Sequence, residues 1–169
     1  TPLSPVSAAQ KLTQQLMSSA IEGSQGQMDW LGMDLGGDGE TFSFGPVGLS
    51  LYGGSIGIAA LIHQLNQRKA SLPEAEGVTS AILKPLQILL DHNQEDGRLR
   101  WWRDQALGLS GCGGVLMGLM VCGQQAMANQ LVDAALPRFI EADQQLDLIG
   151  GSVGLIGPLL QLKTPAAQK

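Results

Sequence analysis

The sequence predicts an all-α fold with its helices in two layers, and three observations support this. Apolar residues recur at helical spacing along most of the 169 residues, and no stretch has the convincing two-residue period of a strand. Some predicted helices are apolar on every side, whereas others are amphipathic and carry the charges, as expected when outer helices cover inner ones. The third observation is a glycine motif that occurs three times.

Six helices are predicted in order. Ala9, Leu12, Leu16 and Ala20 mark one face of the first, which should end near Gly23, and the tract from 23 to 49 is expected to be irregular, with a turn at 36–39. The second follows Gly53 and Gly54. The third should begin near Pro73 and Glu74, where proline suits a first turn, and its inward face comprises Val78, Ile82, Leu86, Leu89 and Leu90, with a kink expected at Pro85.

The fourth helix is predicted from about Gly113 to Cys122 and should be buried all round, because every face is apolar. The fifth carries a stripe of Met127, Leu131, Ala135 and Phe139, and the sixth should begin near Ser152. Residues 164–169 read as a tail. We therefore expect residues 1–169 to form a single domain or domain fragment with its core at about 6–163.

Charge and cysteine content exclude several classes of function. The formal net charge is −5 and no basic run is long, which argues against nucleic acid or an anionic membrane as partner. The apolar tract 106–122 falls short of the ~20 residues of a spanning helix and contains five glycines. Two cysteines are too few for a disulfide framework, and the N-terminus does not resemble a signal peptide, so we expect a cytoplasmic protein with buried thiols.

The glycine motif gives the strongest architectural prediction. Three segments, at 51–58, 109–115 and 148–155, each contain a G-x-x-G pair followed by an aliphatic residue, and each leads into an apolar helix; the pairs are Gly54/Gly57, Gly111/Gly114 and Gly151/Gly154. The first glycine of a pair should adopt a positive φ at a tight turn, and the second should let adjacent helix starts approach closely. Repetition at tens of residues predicts a closed or curved array of helical hairpins.

The same segments resemble a known family. Leu-Tyr-Gly-Gly-Ser-Ile-Gly-Ile-Ala (51–59), Gly-Leu-Ser-Gly-Cys-Gly-Gly-Val (108–115) and Leu-Asp-Leu-Ile-Gly-Gly-Ser-Val-Gly (146–154) resemble glycine turns of lanthionine synthetase cyclases, in particular those of type 2, bifunctional lanthipeptide synthetases. The resemblance implies an α/α toroid, a double ring of helical hairpins, of which this chain is an incomplete N-terminal portion. It also implies a catalytic zinc that binds a cysteine of a dehydrated precursor peptide as thiolate. That thiolate adds to dehydroalanine or dehydrobutyrine, which closes a lanthionine thioether ring.

One candidate catalytic residue follows from the resemblance. Asp147, in the D-x-x-x-G-x-x-G arrangement with Gly151 and Gly154, matches an aspartate of the family's active site, where it would aid proton transfer or order the site. The alternative is that Asp147 caps or braces the turn before the sixth helix. The serines beside the glycines, Ser55, Ser110 and Ser152, are expected to cap the helices that follow.

The family's zinc ligands have no counterpart here. They are two cysteines and a histidine in Cys-containing glycine turns and a Cys-His-Gly motif, and a further His-Gly-x-x-Gly turn is also missing. We therefore expect the chain to end before those repeats, to bind no metal by itself, and to depend on the remaining cyclase repeats and a dehydratase domain. Cys112 and Cys122, with His63 or His92, are not expected to form a metal site because the two thiols should point apart.

Two other functions stay open. A catalytically inactive helical-repeat module, or a truncated remnant, would bind a peptide without chemistry. An unrelated α/α toroid, such as a carbohydrate-active or isoprenoid enzyme, would usually show paired carboxylates, and Asp147 is the one acid that we place at an inner turn. Asp34, Asp38 and Glu40 lack the spacing of a calcium loop and are expected to be solvated, and Trp101 and Trp102 should cover the outer layer.

Overall fold

A computed structural model describes residues 4–35, 40–68, 77–91, 106–140 and 143–162. The elements in chain order are α1 (Pro5–Ser18), β1 (Ile21–Glu22), β2 (Met28–Asp29), β3 (Leu31–Leu35), β4 (Phe42–Pro46), α2 (Ser55–Gln67), α3 (Val78–Asp91), α4 (Cys112–Val121), α5 (Gln125–Ile140) and α6 (Val153–Leu162). The predictions for Pro73 and Glu74, for His92, for Trp101 and Trp102, and for the tail at 164–169 lie outside the described residues.

The structure is mostly helical, as predicted, but the expectation of an all-α chain is wrong. Strand β1 pairs with β2, and β3 pairs with β4, as two antiparallel two-stranded sheets. In the second sheet Leu31 lies opposite Pro46 and Leu35 lies opposite Phe42. The physical reason is an alternation of apolar and small or polar residues in both strands, on either side of the glycine cluster at 36–39.

Helix α1 begins at Pro5 after an N-cap serine, and a hydrogen bond connects it to the residue that precedes β3. The Ser4 hydroxyl accepts a hydrogen bond from the Ser7 N–H, and Pro5 occupies the first helical position. The helix ends at Ser18, earlier than predicted, and Leu12, on the predicted apolar face, is exposed. Beyond the helix, the indole N–H of buried Trp30 donates to the Leu16 carbonyl at 2.8 Å, which fixes the base of β3 against α1.

The remaining five helices form two layers. Helix α4 contacts both α2 and α6, so these three stand in a row, while α3 contacts α2 and α5, and α5 contacts α4 and α6. The predicted inward face of α3 is buried at Val78, Ile82, Leu86 and Leu90, and the helix continues through Pro85. In the layer that contains α4, burial extends round most of that helix, as predicted.

The hydrophobic core lies between these layers. Its largest fully buried side chains come from all five helices: Ile56, Ile62, Ile82, Leu83, Leu86, Val115, Leu116, Leu119, Leu131 and Leu155. Helix α4, the most apolar, has ten residues. Among the described helices none combines the length and the apolar character needed to cross a membrane.

Candidate functional site at the glycine turns

Three backbone turns carry the glycine motif, and each precedes one of the three helices α2, α4 and α6 that stand in a row. We name them turn 1 (48–57), turn 2 (106–114) and turn 3 (146–154), which lead into α2, α4 and α6. Turns 1 and 2 place a glycine at the N-cap of the helix, Gly54 and Gly111, in neither case with a side-chain capping hydrogen bond. At the start of these two helices there is therefore a glycine and no capping side chain.

All six motif glycines occupy positions where a side chain cannot fit. A Cβ built on any of them would lie less than 3.0 Å from a backbone atom of its own turn. The second glycines, Gly57, Gly114 and Gly154, meet the carbonyl oxygens of Leu51, Leu109 and Leu148 respectively. Backbone atoms cannot swing aside as a flexible side chain can, so the same steric requirement recurs in all three turns.

The predicted reason for the first glycine of each pair is wrong. Gly54 has φ −122° and Gly111 has φ −131°, and Gly151 is not among the described residues with positive φ. These glycines are needed because a Cβ would collide with backbone atoms such as the carbonyl oxygens of Gly48 and Ala106. The first glycine of each pair therefore leaves space for neighbouring backbone atoms of its own turn, and it is not needed for a left-handed conformation.

Turns 1 and 2 touch through side chains packed on glycine. A Cβ on Gly114 would lie 3.1 Å from the Cβ of Leu51, and a Cβ on Gly118, one turn further along α4, would overlap the Ile56 side chain. Helices α2 and α4 therefore approach each other at their N-terminal ends, as the sequence predicts for adjacent helix starts.

Turns 2 and 3 are joined by backbone hydrogen bonds. The N–H groups of Leu107 and Gly108 both donate to the Gly150 carbonyl, at 2.9 and 3.2 Å. The Leu109 N–H donates to the Leu148 carbonyl at 3.1 Å, and the Ser110 N–H donates to the Ile149 carbonyl at 3.0 Å. The three turns are thus in contact in the order in which they occur along the chain.

Ser55 and Ser110 do not cap helices as predicted, because glycines occupy the N-caps of α2 and α4. The Ser55 hydroxyl donates to the Gly48 carbonyl at 3.4 Å, within turn 1. The Ser110 hydroxyl donates to the Ile149 carbonyl at 2.8 Å, from turn 2 to turn 3. Ser152 shares a hydrogen bond with Asp143 through its side chain, and its N–H donates to the same carboxylate. Of these three hydroxyls, that of Ser110 connects two turns, whereas those of Ser55 and Ser152 bond to acceptors close to them in sequence.

Asp147 binds the backbone of its own turn. Its Oδ1 accepts hydrogen bonds from the N–H groups of Ile149 at 2.6 Å and Gly150 at 2.7 Å. These donors, that of Gly150 first, hold the pKa of the carboxyl below its ordinary value. The bracing role is thereby present in the structure, and the catalytic role implied by the resemblance stays a prediction.

Asp143, which was not singled out in the sequence, braces the same turn from its other end. Its carboxylate accepts from the N–H groups of Gln145, Leu146 and Ser152 at 3.1, 3.2 and 2.7 Å. The hydrogen bonds with Ser152 are the main cause of the lowering of its pKa to about 2. One of its donors, Leu146, has φ +49°, the one positive φ at a non-glycine position in the described ranges, and the carboxylate helps to hold that conformation. The Asp-x-Gln-Leu pattern at 143–146 is typical of an Asx turn, and it could have indicated these hydrogen bonds in the sequence.

A cavity of about 490 Å³ opens between the second sheet and turns 1 and 2. Its polar lining includes Asp34 and Ser43 from the sheet, Ser50 from turn 1 and Ser110 from turn 2. Asp34, expected in a solvated loop, is exposed, but it lies on β3 at the edge of this cavity and not in a loop. The arrangement can bind a polar or peptide group through hydroxyls, a carboxylate and exposed backbone.

The two cysteines and His63 do not combine into a metal site. Both thiols are buried, and burial raises the pKa of Cys112 to about 12 and that of Cys122 to about 11. Ten residues of helix separate the thiols, a rise of about 15 Å, so they cannot share one ion. The described ranges contain no group of three His, Cys, Asp or Glu side chains that could hold a metal. The residues that the structure describes therefore do not fit a zinc ion.

Comparisons with models of protein families, with curated proteins and with solved structures find no match to this chain.

Proposed function

We propose that these residues are part of the cyclase of a lanthipeptide synthetase, which adds cysteine thiols to dehydroalanine or dehydrobutyrine to form lanthionine rings. The observation that carries the proposal is the threefold recurrence of one steric requirement. Each glycine pair is fitted against its own backbone, each pair begins an inner helix, and consecutive turns touch. The same glycine turns, in the same order, carry the resemblance to the lanthionine cyclases.

The proposed architecture is an arc of an α/α toroid. The row of α2, α4 and α6, covered by α3 and α5, has the inner and outer helices that a toroid requires. In the complete domain the remaining cyclase repeats would continue the row, and the dehydratase domain of the same synthetase would supply the dehydrated, cysteine-containing precursor peptide.

In this proposal, residues other than those that the structure describes would hold the zinc. In the family the metal supplies an activated thiolate. Cys112 and Cys122 lie at opposite ends of α4, and no described side chains complete a ligand set, so the metal would have to be held elsewhere. The residues of turns 1 to 3 would shape the wall of the site. Asp147, whose carboxylate accepts hydrogen bonds from Ile149 and Gly150, would act as a positioning residue for turn 3.

A second candidate is a peptide-binding helical array without chemistry. It is favoured by the engagement of Asp147 with Ile149 and Gly150, since a residue that braces its own turn needs no chemical role. The polar cavity beside turns 1 and 2 would suit such a module equally well.

The test is ring formation by the polypeptide expressed from the complete reading frame that encodes these residues. The probe is a synthetic peptide with one dehydroalanine and one cysteine. Cyclisation removes the thiol that an alkylating reagent detects and leaves the peptide mass unchanged. We expect thiol loss with the unmodified protein. A peptide that binds but keeps its thiol would overturn the cyclase proposal and favour the binding module.

A matched pair of variants tests the role of Asp147. Asp147→Asn and Asp143→Asn each remove one carboxylate that braces turn 3, so both should lower thermal stability to a similar extent. If Asp147 positions the reacting groups, only Asp147→Asn slows ring closure, by about tenfold or more, and shifts its pH profile. Equal ring-closure rates in the two variants would reduce Asp147 to a brace.

A further inference from the structure

The second sheet has two chemically different faces. Along β3 and β4, alternate residues share a face, and the register places Gly32 opposite Gly45 and Asp34 opposite Ser43. These four small or polar residues line the cavity above turns 1 and 2. The opposite face consists of apolar residues, namely Leu31, Met33, Leu35, Phe42, Phe44 and Pro46. Met33 and Pro46 also border the cavity.

The apolar face is exposed. Met33, Phe42 and Phe44 keep 69%, 67% and 71% of their side-chain surface accessible, and Leu31 and Leu35 keep about half of theirs. Met33 and Phe44 are directly opposite each other, so these side chains form one contiguous patch and not scattered exposed residues. Exposed patches of this kind on a protein surface mark sites of interaction.

The segment that contains the sheet is also the acidic part of the chain. Residues 12–67 contain five acidic residues, Glu22, Asp29, Asp34, Asp38 and Glu40, and no lysine or arginine. Their formal charge of −5 equals the net charge of the whole chain, because the other ten acidic residues balance the ten basic ones. Among the described residues of this segment Glu22, Asp29, Asp34 and Glu40 are acidic, and the Lys84 ammonium on α3 donates to its Gln25 carbonyl. The apolar face therefore belongs to a segment of net negative charge.

We propose that the apolar face of β3 and β4 is a docking surface for a cationic, amphipathic peptide segment. Apolar side chains of the segment would cover Met33, Phe42 and Phe44, while its basic side chains would meet the acidic surroundings. This inference goes beyond the cyclase proposal and does not depend on ring formation.

Charge selects this occupant over a second copy of the chain. Two copies joined through the same face would bring two segments of formal charge −5 together, and juxtaposed like charges oppose association. The face of two five-residue strands is also small beside the ~800 Å² per partner of a standard stable interface. A cationic peptide removes the repulsion and needs less buried area to bind reversibly.

The experiment measures binding of a fluorescein-labelled amphipathic Leu/Lys peptide to the purified chain by fluorescence anisotropy. A Leu/Glu peptide of the same pattern serves as the charge control. We expect saturable binding of the Leu/Lys peptide, weakened at least about tenfold at about 1 M salt, and no detectable binding of the Leu/Glu peptide. Equal binding of the two peptides would overturn the proposal.

A matched pair of variants locates the surface. Phe44→Ser changes the proposed face, and Leu160→Ser changes an equally exposed apolar side chain on α6, 74% accessible against 71%. We expect Phe44→Ser to weaken binding about tenfold and Leu160→Ser to leave it unchanged, with circular dichroism confirming that both fold. Equal weakening by both would overturn the assignment. So would sedimentation that showed an unliganded dimer dissociated by Phe44→Ser, because a second copy would then occupy the face.

Discussion

Helices α4 and α6 start at the same kind of glycine turn and have the same length, yet they differ in burial. Helix α4 buries seven of its ten residues, whereas α6 buries four. The difference follows from their neighbours, since α4 lies between α2 and α6 and is backed by α5, whereas α6 stands at the end of the described row. Apolar composition makes both suitable for an inner position, and only flanking helices on both sides complete the burial.

Residues at equivalent positions after the glycine motif also differ in burial. Ile56 and Val153 each lie two residues after the first glycine of the motif, and their accessibilities are 0% and 40%. Ile56 is covered because it packs against Gly118 of the neighbouring helix α4. The exposed face of α6, which also includes Ile156 and Leu160, is where a following inner helix would lie in the proposed toroid.

The largest predicted effect concerns what the two helices share. Gly114→Ala and Gly154→Ala each place a Cβ on a backbone carbonyl, of Leu109 and Leu148 respectively. Each should destabilise the protein by about 4 kcal/mol or more, or prevent folding, because backbone atoms cannot give way. Urea denaturation followed by circular dichroism measures this. Unchanged midpoints would mean that the turns tolerate side chains and that the motif is not steric.

The second-largest predicted effect is a difference in stability between a truncation on α4 and one on α6. Leu116→Ala on α4 removes a fully buried side chain and should cost about 3 kcal/mol, whereas Leu160→Ala on α6 should stay within about 0.5 kcal/mol. The same denaturation experiment compares the two variants. A similar loss for both would show that α6 is covered in solution, by another part of the protein or by a partner.

A smaller predicted effect distinguishes glycines of the motif region by how their substitution changes stability. Gly53 adjoins Gly54, but a Cβ on Gly53 would meet nothing closer than 3.9 Å, and its φ is not positive. Gly53→Ala should stabilise the fold by about 0.5 kcal/mol, because alanine restricts the unfolded chain. The midpoint of urea unfolding should rise slightly. A loss comparable to that of Gly114→Ala would show that all glycines of the motif region are equivalent.

The smallest effect is a change in pH dependence at turn 3. Because folding lowers the pKa of Asp143 from 3.8 to about 2, its carboxylate contributes stability that is present above about pH 4 and is lost as the pH falls through about 2. Asp143→Asn should flatten the decrease of melting temperature in that window. A variant whose melting temperature falls with pH as steeply as that of the unmodified protein would show that other groups govern the acid response.

The helices could be predicted from the sequence because their burial has a local signature. The apolar circumference of α4 and the glycine pairs before α2, α4 and α6 are visible in single segments, and the predicted starts of these three helices agree with the structure within about two residues. The closeness of the turns also follows from the pattern. The sign of φ at Gly54 and Gly111 does not, because glycine allows either sign.

The second sheet was missed although its alternation is present in the sequence. Leu31, Met33 and Leu35 alternate with Gly32 and Asp34, but the glycine content of the surrounding tract favoured an irregular interpretation. The bracing of its own turn by Asp147 was one of the two alternatives that the sequence left open, because its partners Ile149 and Gly150 are local. The contact of Ser110 could not be predicted. Ser110 bonds to a residue 39 positions away, and that distance is fixed by how α4 and α6 pack.

The backbone hydrogen bonds between turns 2 and 3 have a consequence for sequence divergence. Four amide groups of 107–110 donate to carbonyls of 148–150, and no side chain takes part in these four bonds. Point substitutions can alter the side chains around the junction and still leave these donors and acceptors in place, unless proline removes an N–H or a side chain replaces a packed glycine such as Gly108 or Gly154. Over evolutionary time the junction can therefore be inherited intact by relatives whose sequences have lost most other signs of common ancestry.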